Sequence, residues 1–247
     1  MILKSLQVTY LSFWLIISNR IIFILAFINW IMKKYFDNSF YEGYANNKVY
    51  LKATSLLPQD KNLKILDLAC GKGNFTKILI EKGYKNVSAC DLFTNQFLIP
   101  SIKCKKCNLN KEIPSPSNSF DIVIALEIIE HLENPRNLIR EISRILKKGG
   151  TCVMSTPNIS SLRSRLSFLF RGYFGYFSDN LYPMHITPCS KKDLMRIFSE
   201  NNFKTEYVTF TDSERIPKLN LNWQSLFPFL KGEFFSENIL VVARKIK

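Results

Sequence analysis

The chain has 247 residues, of which 47% are hydrophobic and 22% charged. Content of that order fills the core of one α/β domain with an extension and excludes a globally disordered chain. With 34 basic against 20 acidic side chains, the net charge is +14. That favours an anionic partner (nucleic acid, a phosphorylated or acidic metabolite, or an anionic membrane face) without choosing among them.

Residues 1–36 form a separate compositional zone. Residues 6–17 are mostly apolar, Ser18-Asn19-Arg20 interrupts, and 21–32 is apolar again before Lys33 and Lys34. The run 11–32 is long enough to span a bilayer. A central Arg20 costs roughly 2.5–3.5 kcal/mol there. No small-x-small cleavage site follows, so a signal peptide fits poorly. Three readings stay open: a membrane anchor or interfacial hairpin, a helical arm packed on the domain, or a translation start at Met32. Residues 40–57 carry Tyr41, Tyr44 and Tyr50 at a spacing that predicts one or two helices.

From residue 64 a strict alternation begins. Residues 64–69 read as a buried strand that ends in the small-residue turn Ala69-Cys70-Gly71-Lys72-Gly73. A helix follows over 74–82, with Asn74 as its N-cap and Gly83 as its stop. Further strands are predicted at 87–91, 102–107, 120–126 and 151–155. A short helical turn falls at 94–98, and a strong helix runs from Pro135 to Lys147, ending in Lys147-Lys148-Gly149-Gly150. The 120–126 strand is apolar enough to be central. Strands alternating with helices predict a parallel sheet covered on both faces. Residues 159–182 form an insertion that interleaves Arg163, Arg165 and Arg171 with aromatics. A helix at 190–201, a strand at 203–210, a second insertion at 211–235 and a last strand at 238–243 complete the chain.

Six cysteines, at 70, 90, 104, 107, 152 and 189, are spread along the chain, four of them in or beside predicted strands. Buried, reduced thiols in a cytoplasmic protein account for them. Cys104-Lys105-Lys106-Cys107 has no second ligand pair at zinc-site spacing. The cytoplasmic location extends to the inner face of the membrane if residues 1–36 attach there.

Four blocks, in order and spacing, resemble the class I S-adenosylmethionine-dependent methyltransferases, nearest to their small-molecule, quinone-pathway group. They are Asp67-Leu-Ala-Cys-Gly71-Lys-Gly73; Asp91; Phe120-Asp121-Ile-Val; and Glu127-Ile-Ile-Glu130-His131-Leu132, followed by Leu146-Lys-Lys-Gly149-Gly150. The resemblance implies a doubly wound, Rossmann-like sheet of seven strands, mostly parallel with the last antiparallel. It implies S-adenosylmethionine as cofactor. Asp67 orders the turn and reaches the methionine amino group through water. Ala69, Cys70, Gly71 and Gly73 pass their backbone along the cofactor. Asp91 takes the ribose hydroxyls, and Leu92 and Phe93 pack on adenine. Asn108-Leu109 stands where relatives carry Asp-Leu. An amide can still accept from the adenine amino group through its oxygen. Leu126 and Glu127 end the fourth strand at the floor of the site.

Glu127, Glu130 and His131 share one face of a helical turn. Similar clusters hold a divalent ion in some quinone-pathway relatives, but a polar lining of the acceptor pocket is the preferred reading and no resident metal is expected. His131 and His185 are the only histidines, and both are candidate bases for an acceptor hydroxyl. The 159–182 insertion suits an amphiphilic or anionic acceptor, small or linked to a lipid or glycan, or a membrane surface; RNA is the lesser alternative. A nicotinamide oxidoreductase is the weaker rival, because the dinucleotide fingerprint needs a small residue at 76 and the chain has Thr76. A non-catalytic methyltransferase-like subunit is the rival from another class, with Asn108 in its favour.

Overall fold

The computed structural model describes residues 47–216 and 221–247. The apolar 1–36 stretch and the tyrosines at 41 and 44 lie outside the described residues. Helix α1 (Asn47–Ser55) buries Val49 and Ala53. Strand β1 (Lys64–Leu68), helix α2 (Asn74–Glu81) and strand β2 (Asn86–Asp91) follow. Then come β3 (Cys104–Lys106), β4 (Phe120–Leu126), α3 (Pro135–Ile145) and β5 (Leu146–Pro157). The first insertion supplies α4 (Leu162–Arg171). After it come α5 (Lys191–Glu200), β6 (Phe203–Phe210), the short α6 (Trp223–Leu226) and β7 (Asn238–Lys245).

The seven strands lie in the order β3-β2-β1-β4-β5-β7-β6. β7 runs antiparallel to both β5 and β6, and the other pairings are parallel. This is the Rossmann-like architecture read from the alternation, with β4 at the centre. Side-chain period decides the layers. Leu66, Leu68, Val123 and Ala125 face α3 and α5 in one core layer. Ile65, Ile122, Ile124 and Val153 face α1 and α2 in the other. Helix α3 shows why the period is legible: Leu138, Ile139, Ile142 and Ile145 are all fully buried, at roughly 2 kcal/mol each. Its N-cap Asn134 accepts from the Asn137 N–H at 3.0 Å, just ahead of Pro135.

Several boundaries differ from the sequence reading, two of them with a clear physical reason. Helix α3 stops at Ile145, and Leu146 already pairs with Phe120 as strand. Ile122 pairs with Thr151, so residues 147–150 bulge out of the strand instead of ending a helix. Gly149 sits at φ 77°, and a Cβ on Gly150 would come within 2.9 Å of the Lys147 carbonyl. Two glycines serve such a bulge as well as a helix end, so letters alone did not separate the two. At α2 the N-cap is Gly73 at φ 88°, with no side-chain cap, and Asn74 is the first helical residue.

From β1 the chain steps outward to β2 and β3, then returns to lay β4 on the other side of β1. Ligands in open α/β sheets bind at that switch point, outside the carboxyl ends of the strands. Both strand ends carry a residue in the left-handed region: Ala69 (φ 55°) after β1 and Glu127 (φ 52°) after β4. Backbone in this region costs energy for a side-chain-bearing residue and clusters at sites.

Candidate active site

The turn after β1 is held by the end of β2. The Gly71 N–H donates to Asp91 Oδ2 at 2.9 Å, and the Phe93 N–H donates to Asp91 Oδ1 at 2.8 Å. One carboxylate therefore joins the glycine turn to the β2 loop. Each oxygen keeps a lone pair for a further donor. Gly71 (φ 54°) meets no heavy atom within 4 Å of a built Cβ, so its backbone opens onto free space. Gly73 differs. A Cβ there would meet Ile99 Cγ1 at 2.7 Å and the Phe97 ring at 2.8 Å. Close packing under the 97–99 loop, together with its φ, requires that glycine, in place of the backbone approach expected of it.

Asp67 ties the end of β1 to the first turn of α2. It is 3% exposed, and Oδ2 accepts from the Thr76 hydroxyl of α2 at 2.6 Å. Burial pushes its carboxyl up to about 7, against the Thr76 hydrogen bond, which lowers it. Thr76, noted in the sequence only for not being glycine, is thus the partner of this acid. The sign of the pH effect follows. The native state holds Asp67's proton up to about pH 7, while the unfolded chain releases it near 3.8. Stability from this group is complete at low pH and is lost as pH rises through that window. Thr76→Val removes the hydrogen bond that favours the ionised form. It is expected to lower stability by about 1–3 kcal/mol, more at pH 8 than at pH 5, as read from urea midpoints at the two values.

The remaining cofactor-side residues divide. Leu92 (43%) and Phe93 (58%) are exposed beside Asp91. Cys70, Leu109 and Leu126 are buried at 9%, 7% and 8%, and Leu109 and Leu126 belong to the two core layers. Asn108 is exposed, and its Oδ1 accepts from the Asn110 N–H at 3.0 Å. The oxygen assigned to the adenine amino group already closes a local turn. All six cysteines are unbridged, and five are buried. Cys104 Sγ lies 3.6 Å from Cys70 Sγ in the glycine turn, while Cys107 is buried beside Cys90.

On the other side of β4 the structure rearranges the acidic cluster. Glu127 turns toward β5 and β7. Its Oε1 accepts from the Ser155 hydroxyl at 2.6 Å and its Oε2 from Asn238 Nδ2 at 2.7 Å. Burial raises its carboxyl to about 7, the first cause, against these two hydrogen bonds. Glu127 thus stands apart from the grouping of Glu130 and His131 and fixes the end of β4. Glu130 is fully buried, and its Oε2 accepts from Thr156 at 3.0 Å. Burial and the neighbouring Glu127 charge hold it well above the carboxylate range.

His185 takes the place vacated by Glu127. One ligand atom each of Glu130, His131 and His185 lies within 4.8 Å of the others, the only such group of three among the described residues. The two imidazoles meet edge to face at 4.7 Å. His131 Nδ1 lies 2.7 Å from the Met184 carbonyl, and His185 Nδ1 lies 2.8 Å from the Tyr176 carbonyl. A carbonyl only accepts, so each Nδ1 carries the hydrogen and each neutral ring keeps a bare Nε2. Burial lowers His131, and burial with the His131 charge lowers His185 to about 4. Both rings are therefore neutral near pH 7. The return loop is tied to the cluster as well, since Ile186 and Thr187 donate to the Glu130 carbonyl at 2.9 and 3.0 Å.

Sheet order, glycine turn, and an acid ending β2 define a class I S-adenosylmethionine-dependent methyltransferase fold. The chain belongs to the methyltransferase domain family, whose model matches residues 41–208. A ubiquinone biosynthesis O-methyltransferase of Psychrobacter arcticus is 30% identical over 118 residues, covering 43% of this chain and 44% of that protein. The mitochondrial protein of that name from Dictyostelium discoideum is 29% identical over 163 residues, covering 58% and 50%. The chain thus spans about half the length of the curated relatives it matches. Among solved structures, an S-adenosylmethionine-dependent methyltransferase from Mesorhizobium loti aligns with a TM-score of 0.57 at 20% identity, over 80% of this chain and 98% of that one. One from Archaeoglobus fulgidus aligns at 0.59 and 19%, over 81% and 95%. These likenesses extend to the fold.

Proposed function

We propose that this protein transfers a methyl group from S-adenosylmethionine to a hydroxyl oxygen of a small, or lipid- or glycan-linked, acceptor. The observation that carries the oxygen reading is the imidazole pair after β4, neutral and with bare Nε2 atoms. The named relatives, O-methyltransferases of ubiquinone biosynthesis, agree with it. The cofactor, when bound, supplies the methyl group in activated form.

The residues present fit that cofactor. Gly71 leaves open space where a side chain would stand, and Asp91 retains acceptor capacity for ribose hydroxyls after holding the turn. Leu92 and Phe93 offer exposed apolar surface beside it. Across β4, His131 or His185 accepts the acceptor's proton at Nε2, and the Met184 and Tyr176 carbonyls keep the rings oriented. Such a base contributes roughly 10²–10⁴ in rate. Glu127 and Glu130 act as positioning groups that fix the end of β4.

One observation favours a second reading. Two imidazoles and one carboxylate within 4.8 Å are a donor set for a transition-metal ion. A single experiment separates the readings and seeks the acceptor: cell extract sorted into lipid, glycan, RNA and small-molecule fractions is incubated with the full chain and methyl-tritiated cofactor. Label in the lipid, glycan or small-molecule fraction as a methyl ether, unchanged by EDTA, is the expected result. A loss on chelation that Mn²⁺ restores assigns the trio to a metal, and label confined to RNA overturns the acceptor class.

A further inference from the structure

Four of the six cysteines gather at one end of the sheet, and the reaction proposed above uses none of their sulfurs. Cys70 stands in the glycine turn after β1, and Cys90 lies on β2 one residue before Asp91. Cys104 opens β3, and Cys107 follows its end. The CxxC spacing does not make its own two sulfurs a pair. Cys104 Sγ lies 3.6 Å from Cys70 Sγ, while Cys107 shares a hydrogen bond with Cys90.

Strand β2 lies between β1 and β3 in the sheet, so the contact of Cys70 with Cys104 crosses over it. The contact joins the two segments that flank Asp91. One is the turn whose Gly71 N–H donates to the acid's side chain at 2.9 Å. The other is the end of β3, where the Cys107 N–H donates to the Asp91 carbonyl at 2.8 Å.

The two thiols are unequal. Cys104 is the one cysteine of the six that is not buried, and Cys70 is 9% exposed. Burial raises both above the ordinary thiol range, but the hydrogen bond between them lowers Cys104 and raises Cys70. Cys104 is thus the sulfur that solvent reaches and that ionises first, with Cys70 in place as the resolving partner. Sulfurs already in contact need only a small further approach to reach the bonded distance of about 2.0 Å.

We infer that Cys70 and Cys104 are a modification site for a small hydroperoxide, which closes them into an intrachain disulfide that loosens the hold on S-adenosylmethionine. The Cys104 thiolate attacks one peroxide oxygen, the O–O bond breaks, and the released hydroxide takes up the thiol proton and leaves as water. The Cys70 sulfur then attacks the sulfenic acid on Cys104. The S–S bond forms, the S–O bond breaks, and the hydroxyl departs with the Cys70 proton as a second water. Two thiols are oxidised by two electrons to one disulfide, and one hydrogen peroxide is reduced to two waters. The effect on the cofactor rests on the reading that the turn after β1 holds it, and the disulfide itself does not. Closure pulls the turn toward β3, one residue from the hydrogen bond that joins Gly71 to Asp91. By reciprocity, bound cofactor should favour the dithiol over the disulfide.

The test uses the full chain, reduced with dithiothreitol, freed of it and treated with millimolar hydrogen peroxide. Peptide mapping by mass spectrometry after alkylation is expected to find residues 70 and 104 linked, and dithiothreitol to reverse the link. Equilibrium dialysis with labelled cofactor should show affinity lower by about tenfold or more in the oxidised protein, a coupling of ordinary size. Cys104→Ser should bind cofactor as the reduced wild type does and lose the effect of peroxide. Oxidation that links 104 to 107, or that leaves 70 and 104 unlinked, overturns the inference. So does a disulfide between 70 and 104 that leaves cofactor affinity unchanged. A reduced chain that takes up no cofactor fails the reading above instead, and the mapped link still decides the modification site.

Discussion

His131→Ala and His185→Ala should each lower kcat for methyl transfer by about 10²–10³ while cofactor affinity stays within about twofold. The reason is positional. Both rings sit beyond β4, away from the glycine turn, and meet each other at 4.7 Å. The pH profile distinguishes a base from a structural histidine. A base must be unprotonated, and burial with the His131 charge holds His185 at about 4. His131 is lowered too, again chiefly by burial. The acid limb of kcat should therefore lie below the usual imidazole range. Removing His131 removes one of the causes that lower His185, so in His131→Ala the residual limb should move toward higher pH. A limb that stays near 6.5 in wild type and variants alike would remove both histidines from the proton transfer.

The second large effect falls on Asp91. Asp91→Ala deletes the acceptor for Gly71 and Phe93 and the carboxylate offered to the ribose. Hydrogen bonds to a charged group are worth about 1.5–3 kcal/mol each, so affinity for S-adenosylmethionine should fall at least about 100-fold. Asp91→Asn keeps one acceptor oxygen and should fall between wild type and Asp91→Ala. Equilibrium dialysis with labelled cofactor reads the series. An Asp91→Ala protein that binds as wild type does would show that the acid serves only the loop.

The half of the site built from local sequence was legible. A buried strand, two glycines, a helix and an acid twenty positions on from Gly71 lie within one βαβ unit, and spacing alone brings them together. The sheet was legible for the same reason: near-continuous apolar runs such as 120–126 and the helical period of 135–145 report burial directly. The half built from distant segments was not. Nothing in the letters around Glu127 announces Ser155 and Asn238, which draw it out of the Glu130–His131 cluster. Nor does spacing along the chain bring His185 to His131, since the return of the first insertion over β4 does so. Thr76 carried a usable signal, a hydroxyl on the buried face of α2 opposite a strand acid.

The central claim is that this chain holds S-adenosylmethionine at the turn after β1. Titration calorimetry of the pure full-length protein with the cofactor measures it most directly. One equivalent bound per chain, and no measurable binding in Asp91→Ala, is the predicted result. The absence of binding to the folded wild-type protein would contradict it and leave a methyltransferase fold serving as a non-catalytic subunit.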